Sequence, residues 1–488
     1  MKALMAFVAV LSAAVLAVAA GQSSNGGAAT NAAQPDPNTA RIVGAAMTRG
    51  GALEFLRTLT DSVGGRVTGS TQSRAAVELI LKALKDADFA SAHLEEYPLE
   101  SRWTRGPASG EVLAPGKGAL HVGSYGWVPG TSGRIEAGVV DLGTPPTNEL
   151  PKTTKSLKGA AVIVDVHAIG NSPTPVMRAL IARQLARAGA AAMLIPSDKP
   201  DRMLYTSAYA LYPRGPLPVL SVGKEDALYL RRLLAVGPVK IALDVRNIFD
   251  ESPATERNVI AEIPGANCRD IVLVGAHFDS WDPAQGADDN GTGVAAILEA
   301  ARIFKGLGIA PRCTIRFAFF SGEEQANLGS RAYVKTHGDE LDRTRAFVMM
   351  DDGAQVPLGF KTNGRRDLVA PLQEVLSGLI ALGADEISAE ADMESDNASF
   401  MVAGVPSLTL KVVPGDYGVR HHAITDTFDK IDPHTLALDT AVISIAAYEI
   451  ANTESGLGRR QSLVEVKELL RRTGLESAQE TQYGPIEP

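Results

Sequence analysis

The sequence predicts an α/β sandwich whose sheet is largely parallel and buried, with a β-rich module inserted into it. Three observations lead there. From residue 258 onward, continuous apolar runs alternate with helix-length segments, the pattern of strands covered on both faces. Between residues 105 and 244, short β-like runs follow one another, broken by many glycines and prolines. Short motifs bearing carboxylates and histidines fall just past the ends of the apolar runs, and open α/β sheets bind their ligands beyond the carboxyl ends of the strands.

With 488 residues the chain has room for two or three domains, and 45% hydrophobic with 21% charged residues is an ordinary soluble composition. The net charge of −9 comes with no basic cluster, which argues against nucleic acid as a partner. Lys2 precedes an uncharged apolar run over residues 3–20 that ends in Val18-Ala19-Ala20, small residues suited to signal-peptidase cleavage. A structural helix or an uncleaved anchor would share the run; its small-residue end favours cleavage. Residues 1–20 are therefore expected to be a signal peptide, and the protein to be secreted or periplasmic. Gly21 stands where a lipoprotein would carry cysteine. Residues 21–38, rich in Gly, Ser, Ala, Asn and Pro, are expected to form a disordered linker. No other segment reaches the roughly 18 apolar residues of a membrane span, so no membrane contact is expected after cleavage.

The elements follow in order. Residues 39–104 open the main domain with helices: Leu53, Leu56 and Leu59 recur every third position, and residues 74–84 place Val77, Ile80, Leu81 and Leu84 on one face. Between them lies the glycine-rich loop 61–70, which lacks the lysine of a phosphate-binding P-loop. The module at 105–244 contains β-like runs at 138–142, 160–165, 191–195 and 217–221, and one helix at 176–188 with Gly189 as its C-cap. Its His121 and His167 have no second ligand at metal spacing and read as ordinary histidines. Residues 245–455 return to the main domain: strand 271–275 and helix 293–304, strand 314–320 and helix 326–336, strands 347–350 and 407–411. Asp432-Pro433 then reads as an N-cap with proline at the first helical position, opening a closing helix at 436–448. Residues 456–488 are expected to be a C-terminal tail. Cys268 and Cys313 each precede an apolar run, and a disulfide between neighbouring strands or two separate buried thiols fit equally.

Five motifs carry the chemistry. In Gly-Ala-His277-Phe-Asp279, alternation on a strand end points both polar side chains to one face, and Asp279 is placed to take the histidine's other ring N–H. Asp288-Asp289-Asn290-Gly-Thr-Gly293 opens a helix; its acids could simply cap that helix, yet a bridge between two cations also needs a rigidly held carboxylate. Glu323-Glu324 offers one carboxylate for a metal and one free to take a proton from water. In Asp351-Asp352 and in His421-His422, one member of each doublet is expected to ligate and the other to support it. Such a set suits two metal ions sharing a carboxylate, and points to metal-assisted hydrolysis.

His277-Phe-Asp279-Ser-Trp-Asp282, Gly286-Ala-Asp-Asp289-Asn-Gly-Thr-Gly293, Glu323-Glu324 and His422-Ala-Ile-Thr-Asp426-Thr427 resemble the di-zinc exopeptidases of metallopeptidase family twenty-eight, most of all its carboxypeptidase Q branch. The resemblance covers residues 258–452 closely and 53–88 loosely. It implies a three-layer α/β/α sandwich with a mixed, largely parallel sheet. It likens the inserted module to a protease-associated domain, which in such relatives forms a lid beside the active site. Carried over residue by residue, it makes His277 and Asp351 ligands of one zinc, Glu324 and His422 ligands of the other, and Asp289 the bridge. Glu323 becomes the general base, and Asp279 and Asp426 orient their neighbours. A cis peptide between Asp289 and Asn290 is also implied; Asn290 departs from carboxypeptidase Q, which carries aspartate there.

The expected activity is hydrolysis of dipeptides or short peptides with a free N-terminus, using two zinc ions per chain that cobalt or manganese could replace. Rival readings are an aminopeptidase acting on longer peptides, a single-zinc acyltransferase like glutaminyl cyclase, a two-metal phosphatase, and a non-catalytic receptor. Carrying no catalytic set, the module is expected to restrict access to the cleft without touching metal binding, or to form a homodimer contact.

Overall fold

The computed structural model describes residues 36–145, 157–166, 174–208 and 214–484. The expected signal peptide, most of the expected linker and His167 lie outside them. Residues from Pro37 onward form one compact unit; of the other, Met1–Asp36, only Asp36 is described.

The main sheet has eight strands in the order His93–Leu99, Ala254–Ile263, Thr314–Phe320, Ile271–His277, Thr344–Met349, Ser407–Val412, Pro357–Lys361 and Glu386–Ser388. The central four, from Thr314–Phe320 to Ser407–Val412, run parallel. Antiparallel pairs flank them on both sides. Ile271–His277 is buried at every position, as a strand covered on both faces must be. One face packs against helices Pro37–Arg49, Gly51–Thr58, Thr71–Asp86, Thr292–Leu307 and Pro433–Asn452, through side chains such as Val272, Val274, Ile297 and Ile443. The other contributes Leu273, Phe320, Phe347 and Met349 to a core shared with Tyr333 and Phe400 on helices Leu328–Thr336 and Asn397–Val402. This is the expected three-layer sandwich with a mixed, largely parallel sheet.

Register decides the site. His277 pairs with Phe320 and Gly275 with Met349, so the parallel strands end at one level. The segments that follow them, with Asp279, Glu323, Glu324 and Asp351, leave the sheet along a common edge.

The inserted region forms a second eight-stranded sheet, ordered Gly118–Leu120, Ala108–Ala114, Lys240–Val245, Ile135–Asp141, Ala161–Ile163, Ala192–Pro196, Val219–Val222 and Val122–Ser124. It is less purely β than its composition suggested. Four neighbouring strands, Ile135–Asp141 to Val219–Val222, are parallel, and two helices accompany them. Thr174–Arg187 was expected; Lys224–Leu234 was not, although buried Ala227 and Leu230 at a spacing of three are its signature.

Other departures have local causes. The helix expected from Ala326 begins at Leu328, because Ala326 and Asn327 take φ of 75° and 59° to turn the chain. The first helix starts at Pro37, inside the expected linker. The expected tail instead holds helices Leu463–Thr473 and Glu476–Tyr483, the former burying Val466, Leu469 and Leu470 against Met393, Ala398 and Met401. Asp432 does cap the closing helix, accepting from the Thr435 N–H at 2.7 Å.

Cys268 and Cys313 form a disulfide with a sequence separation of 45. Closing a loop of that length removes unfolded-state entropy equivalent to about 4 kcal/mol. Reduction, or Cys313→Ser, is expected to lower the thermal unfolding midpoint by several degrees, read by circular dichroism with and without a phosphine reductant. An unchanged midpoint would show that the bridge contributes nothing to stability.

Candidate active site

His277 ends its strand with 1% of its surface exposed. Its Nε2 lies 2.9 Å from Asp351 Oδ1, 3.5 Å from Asp289 Oδ1 and 4.0 Å from Glu323 Oε2. Its Nδ1 faces the Asp279 carbonyl oxygen at 3.1 Å, with the carboxylate farther off at 3.6 Å. The expected ring-to-carboxylate hydrogen bond is thus replaced by one to the backbone of the same residue. The Asp279 carboxylate instead accepts the backbone N–H groups of Glu323 and Glu324, both at 3.2 Å, and the Thr68 hydroxyl at 2.9 Å. It fixes the turn that carries both glutamates.

His422 Nε2 sits 3.2 Å from Asp289 Oδ2 and 3.1 Å from Glu324 Oε2. His421 Nε2 stands farther from the same aspartate oxygen, at 3.8 Å. Within the doublet, His422 therefore faces two carboxylates at close range. The Asp351-Asp352 doublet divides as well: Asp351 meets His277, while Asp352 Oδ2 points to Lys361 Nζ at 3.5 Å.

Asp289 lies between the two histidines. Donor atoms of His277, Asp289 and Asp351 fall within 4.8 Å of one another, and so do those of Asp289, His421 and His422. The third such group among the described residues, Cys268 with Asp270 and Cys313, is accounted for by the disulfide.

The surroundings hold this carboxylate in place. Asp426 accepts the N–H groups of Asp288 at 2.6 Å and Asp289 at 3.2 Å. Asp288 itself turns away to Arg420 at 2.7 Å and to the Ala354 N–H at 3.0 Å. The Asp289–Asn290 peptide is cis, as expected. Asn290 bridges the Met350 carbonyl and the Gly293 N–H. A Cβ on Gly293 would lie 2.3 Å from Asn290 Oδ1, so only glycine lets the helix start this close.

Burial and neighbouring charges set the protonation tendencies of the cluster. Burial opposes charging His277, but Asp351, Asp279 and Glu323 outweigh it and push its pKa well up. Burial likewise opposes His422, and Glu324, Tyr205 and Asp289 overcome it. Burial also works against ionising Asp289, yet His422, His421 and His277 hold it well below the usual carboxylate range. Glu323 is driven well up, by burial first and then by Glu324, Asp351 and Asp396 against His277. The carboxylates draw protons onto both histidines, the behaviour of a site built around cations. Glu324 Oε1 and His422 Nδ1 are buried without a hydrogen-bond partner among the described residues. Two imidazoles and three carboxylates, one of them shared, form a donor set that fits two zinc ions.

The structure brings together every residue expected at the site: His277, Asp279, Asp289, Glu323, Glu324, Asp351 and His422. His121 lies apart and bonds Asp226 at 2.8 Å. Several participants carried no recognised signal. Arg66 and Thr68 belong to the glycine-rich loop, whose composition alone gave no role. The Arg66 guanidinium is fully buried and donates to the carbonyls of Phe278, Gly64, Gln285 and Gly286 at 2.5–3.1 Å, tying the first two motifs together. Trp281 Nε1 donates to Glu324 Oε2 at 2.5 Å. The module was expected to wall the cleft, and its Tyr205 ring lies beside His422, with centroids 5.4 Å apart and planes tilted by 34°.

Comparison with known proteins bears on the family and the fold. Residues 258–446 match the family described as peptidase family M28. Carboxypeptidase Q of Xenopus laevis is 30% identical over 412 residues, which span 83% of this chain and 87% of that protein. The crystal structure of a Peptidase M28 precursor from Shewanella amazonensis SB2B is 26% identical with a TM-score of 0.76, covering 87% of this chain and 98% of that one. A zinc aminopeptidase from Bacillus subtilis shares the fold at 20% identity and a TM-score of 0.66, over 84% of this chain and 97% of that one.

Arg66→Met is expected to strand several buried carbonyls, each costing about 1–3 kcal/mol where water cannot replace the donor. Thermal unfolding should shift down strongly. A midpoint equal to wild type would mean that the loop does not support the motifs.

Proposed function

The chain belongs to peptidase family M28, and from that premise we propose that it is a di-zinc exopeptidase cleaving dipeptides or short peptides with a free N-terminus. The observation that carries the reading is the Asp289 carboxylate, one oxygen toward His277 and the other toward His422. His277 and Asp351 would hold one ion, Glu324 and His422 the other, with Asp289 between them. When bound, zinc supplies Lewis-acid polarisation of the scissile carbonyl and makes water acidic enough to attack near neutral pH.

The remaining work falls to the chain itself. Glu323, partly buried and reaching toward His277, accepts the proton of the attacking water and returns it to the leaving amine. Asp279 keeps Glu323 and Glu324 on their separate tasks by holding both backbone N–H groups. The free amino group of a substrate is drawn to the carboxylates around Asp351, which favours exopeptidase action. The name of the Xenopus relative and that of the Bacillus fold neighbour support peptide substrates and zinc. Export is supported by the apolar run at residues 3–20 and by the disulfide, since such bridges persist in oxidising compartments.

Glu323→Gln is expected to leave zinc content at the wild-type level while lowering kcat by about 10² to 10⁴ on a dipeptide or an aminoacyl-anilide. Activity within a few-fold of wild type would remove Glu323 from the base role.

Asp289→Ala should do more damage to metal binding than any other single ligand change. Metal analysis is expected to show losses approaching both ions. One zinc still tightly bound would make Asp289 a terminal ligand or no ligand.

A further inference from the structure

We propose that the inserted module is a constituent of the metal site, with Tyr205 and Thr206 acting as positioning residues for His422. This rests on the metal assignment above. His422 has a φ of 57°, in the left-handed region that side chains other than glycine rarely adopt. Such a conformation persists where neighbours over-determine it. Here those neighbours come largely from the module. The Thr206 N–H donates to the His422 carbonyl at 2.9 Å, and Tyr205 forms an antiparallel bridge with Ala423. The Tyr205 ring covers His422 at 5.4 Å and reaches His421 at 6.2 Å, and Lys199 Nζ donates to the Gly418 carbonyl in the same segment.

The module is in turn locked to the strand-end motifs. Arg105 pairs with Asp282 at 2.7 Å and donates to Thr206 Oγ1 at 3.0 Å and to the Ser124 carbonyl. Gly126 lies so close to Trp281 that a Cβ there would come within 2.3 Å of the ring, and Trp281 donates to Glu324. Both residues assigned to the second zinc, Glu324 and His422, are therefore braced from the module. Those assigned to the first, His277 and Asp351, make no hydrogen bond, ion pair or ring contact with it among the described residues and are held by the sheet edge. The module thus acts on the second metal position and not only on access to the cleft.

The test is zinc titration of the full-length protein with metal counted per chain, on wild type, Tyr205→Ala, Tyr205→Phe and Thr206→Pro, the last removing the N–H that holds His422. Wild type is expected to bind two ions. Tyr205→Ala and Thr206→Pro should bind one with wild-type affinity and the second at least tenfold more weakly, while Tyr205→Phe, which keeps the ring, stays within about twofold. Circular dichroism and thermal unfolding check the fold. If Thr206→Pro misfolds, Tyr205→Ala decides, and two ions held there at wild-type affinity would overturn the proposal. Wild type binding fewer than two ions would instead defeat the metal assignment itself, so the two failures are distinguishable.

Discussion

The Asp289 carboxylate, held between His277 and His422, is the constraint around which the rest of the site is arranged. Burying one charge is costly, and burying several of the same sign is worse unless cations or donors meet them. The chain meets the supporting acids with its own groups. Arg420 neutralises Asp288, backbone N–H groups satisfy Asp426 and Asp279, and Arg66 cross-links the loops from beneath. The acids facing the cleft are left to attract positive charge, and both histidines respond by moving toward the protonated form.

The sheet makes this arrangement rigid. Parallel strands in register end together, so side chains distant in sequence arrive at one edge without long loops. Functional groups placed at the ends of packed strands are positioned more sharply than groups on free loops. Asp289 sits at the start of helix Thr292–Leu307, whose sixteen residues are buried along most of their length. Moving that carboxylate means moving a core helix. His422 lies in the turn after the short helix Tyr417–Arg420, and the inserted module braces it there.

Much of this was legible in the sequence because each motif couples a chemical signal to a structural one. His277 follows a run that can only be a buried strand, and Asp289 precedes a glycine pair that can only open a closely packed helix. The doublets were harder. Asp351 and Asp352 are adjacent and chemically alike, and only the fold turns one to His277 and the other to Lys361. Arg66 was invisible because its role lies in reaching carbonyls more than two hundred positions away, and no local pattern marks that. The same holds for Tyr205 and Thr206. Their partners are a ring and a carbonyl in another part of the chain, so the module read as a separate lid. The C-terminal helices were missed for a different reason: Val466, Leu469 and Leu470 form a short apolar stripe that gains meaning only opposite Met393 and Met401.

The central claim is a dinuclear centre bridged by Asp289. Anomalous diffraction at the zinc absorption edge, from crystals of the full-length protein grown with zinc, addresses it directly. The account predicts two anomalous peaks about 3.5–4 Å apart, one beside His277 and Asp351, the other beside Glu324 and His422, with an oxygen of Asp289 on each. A single peak, or two peaks with Asp289 bound to only one, would contradict it.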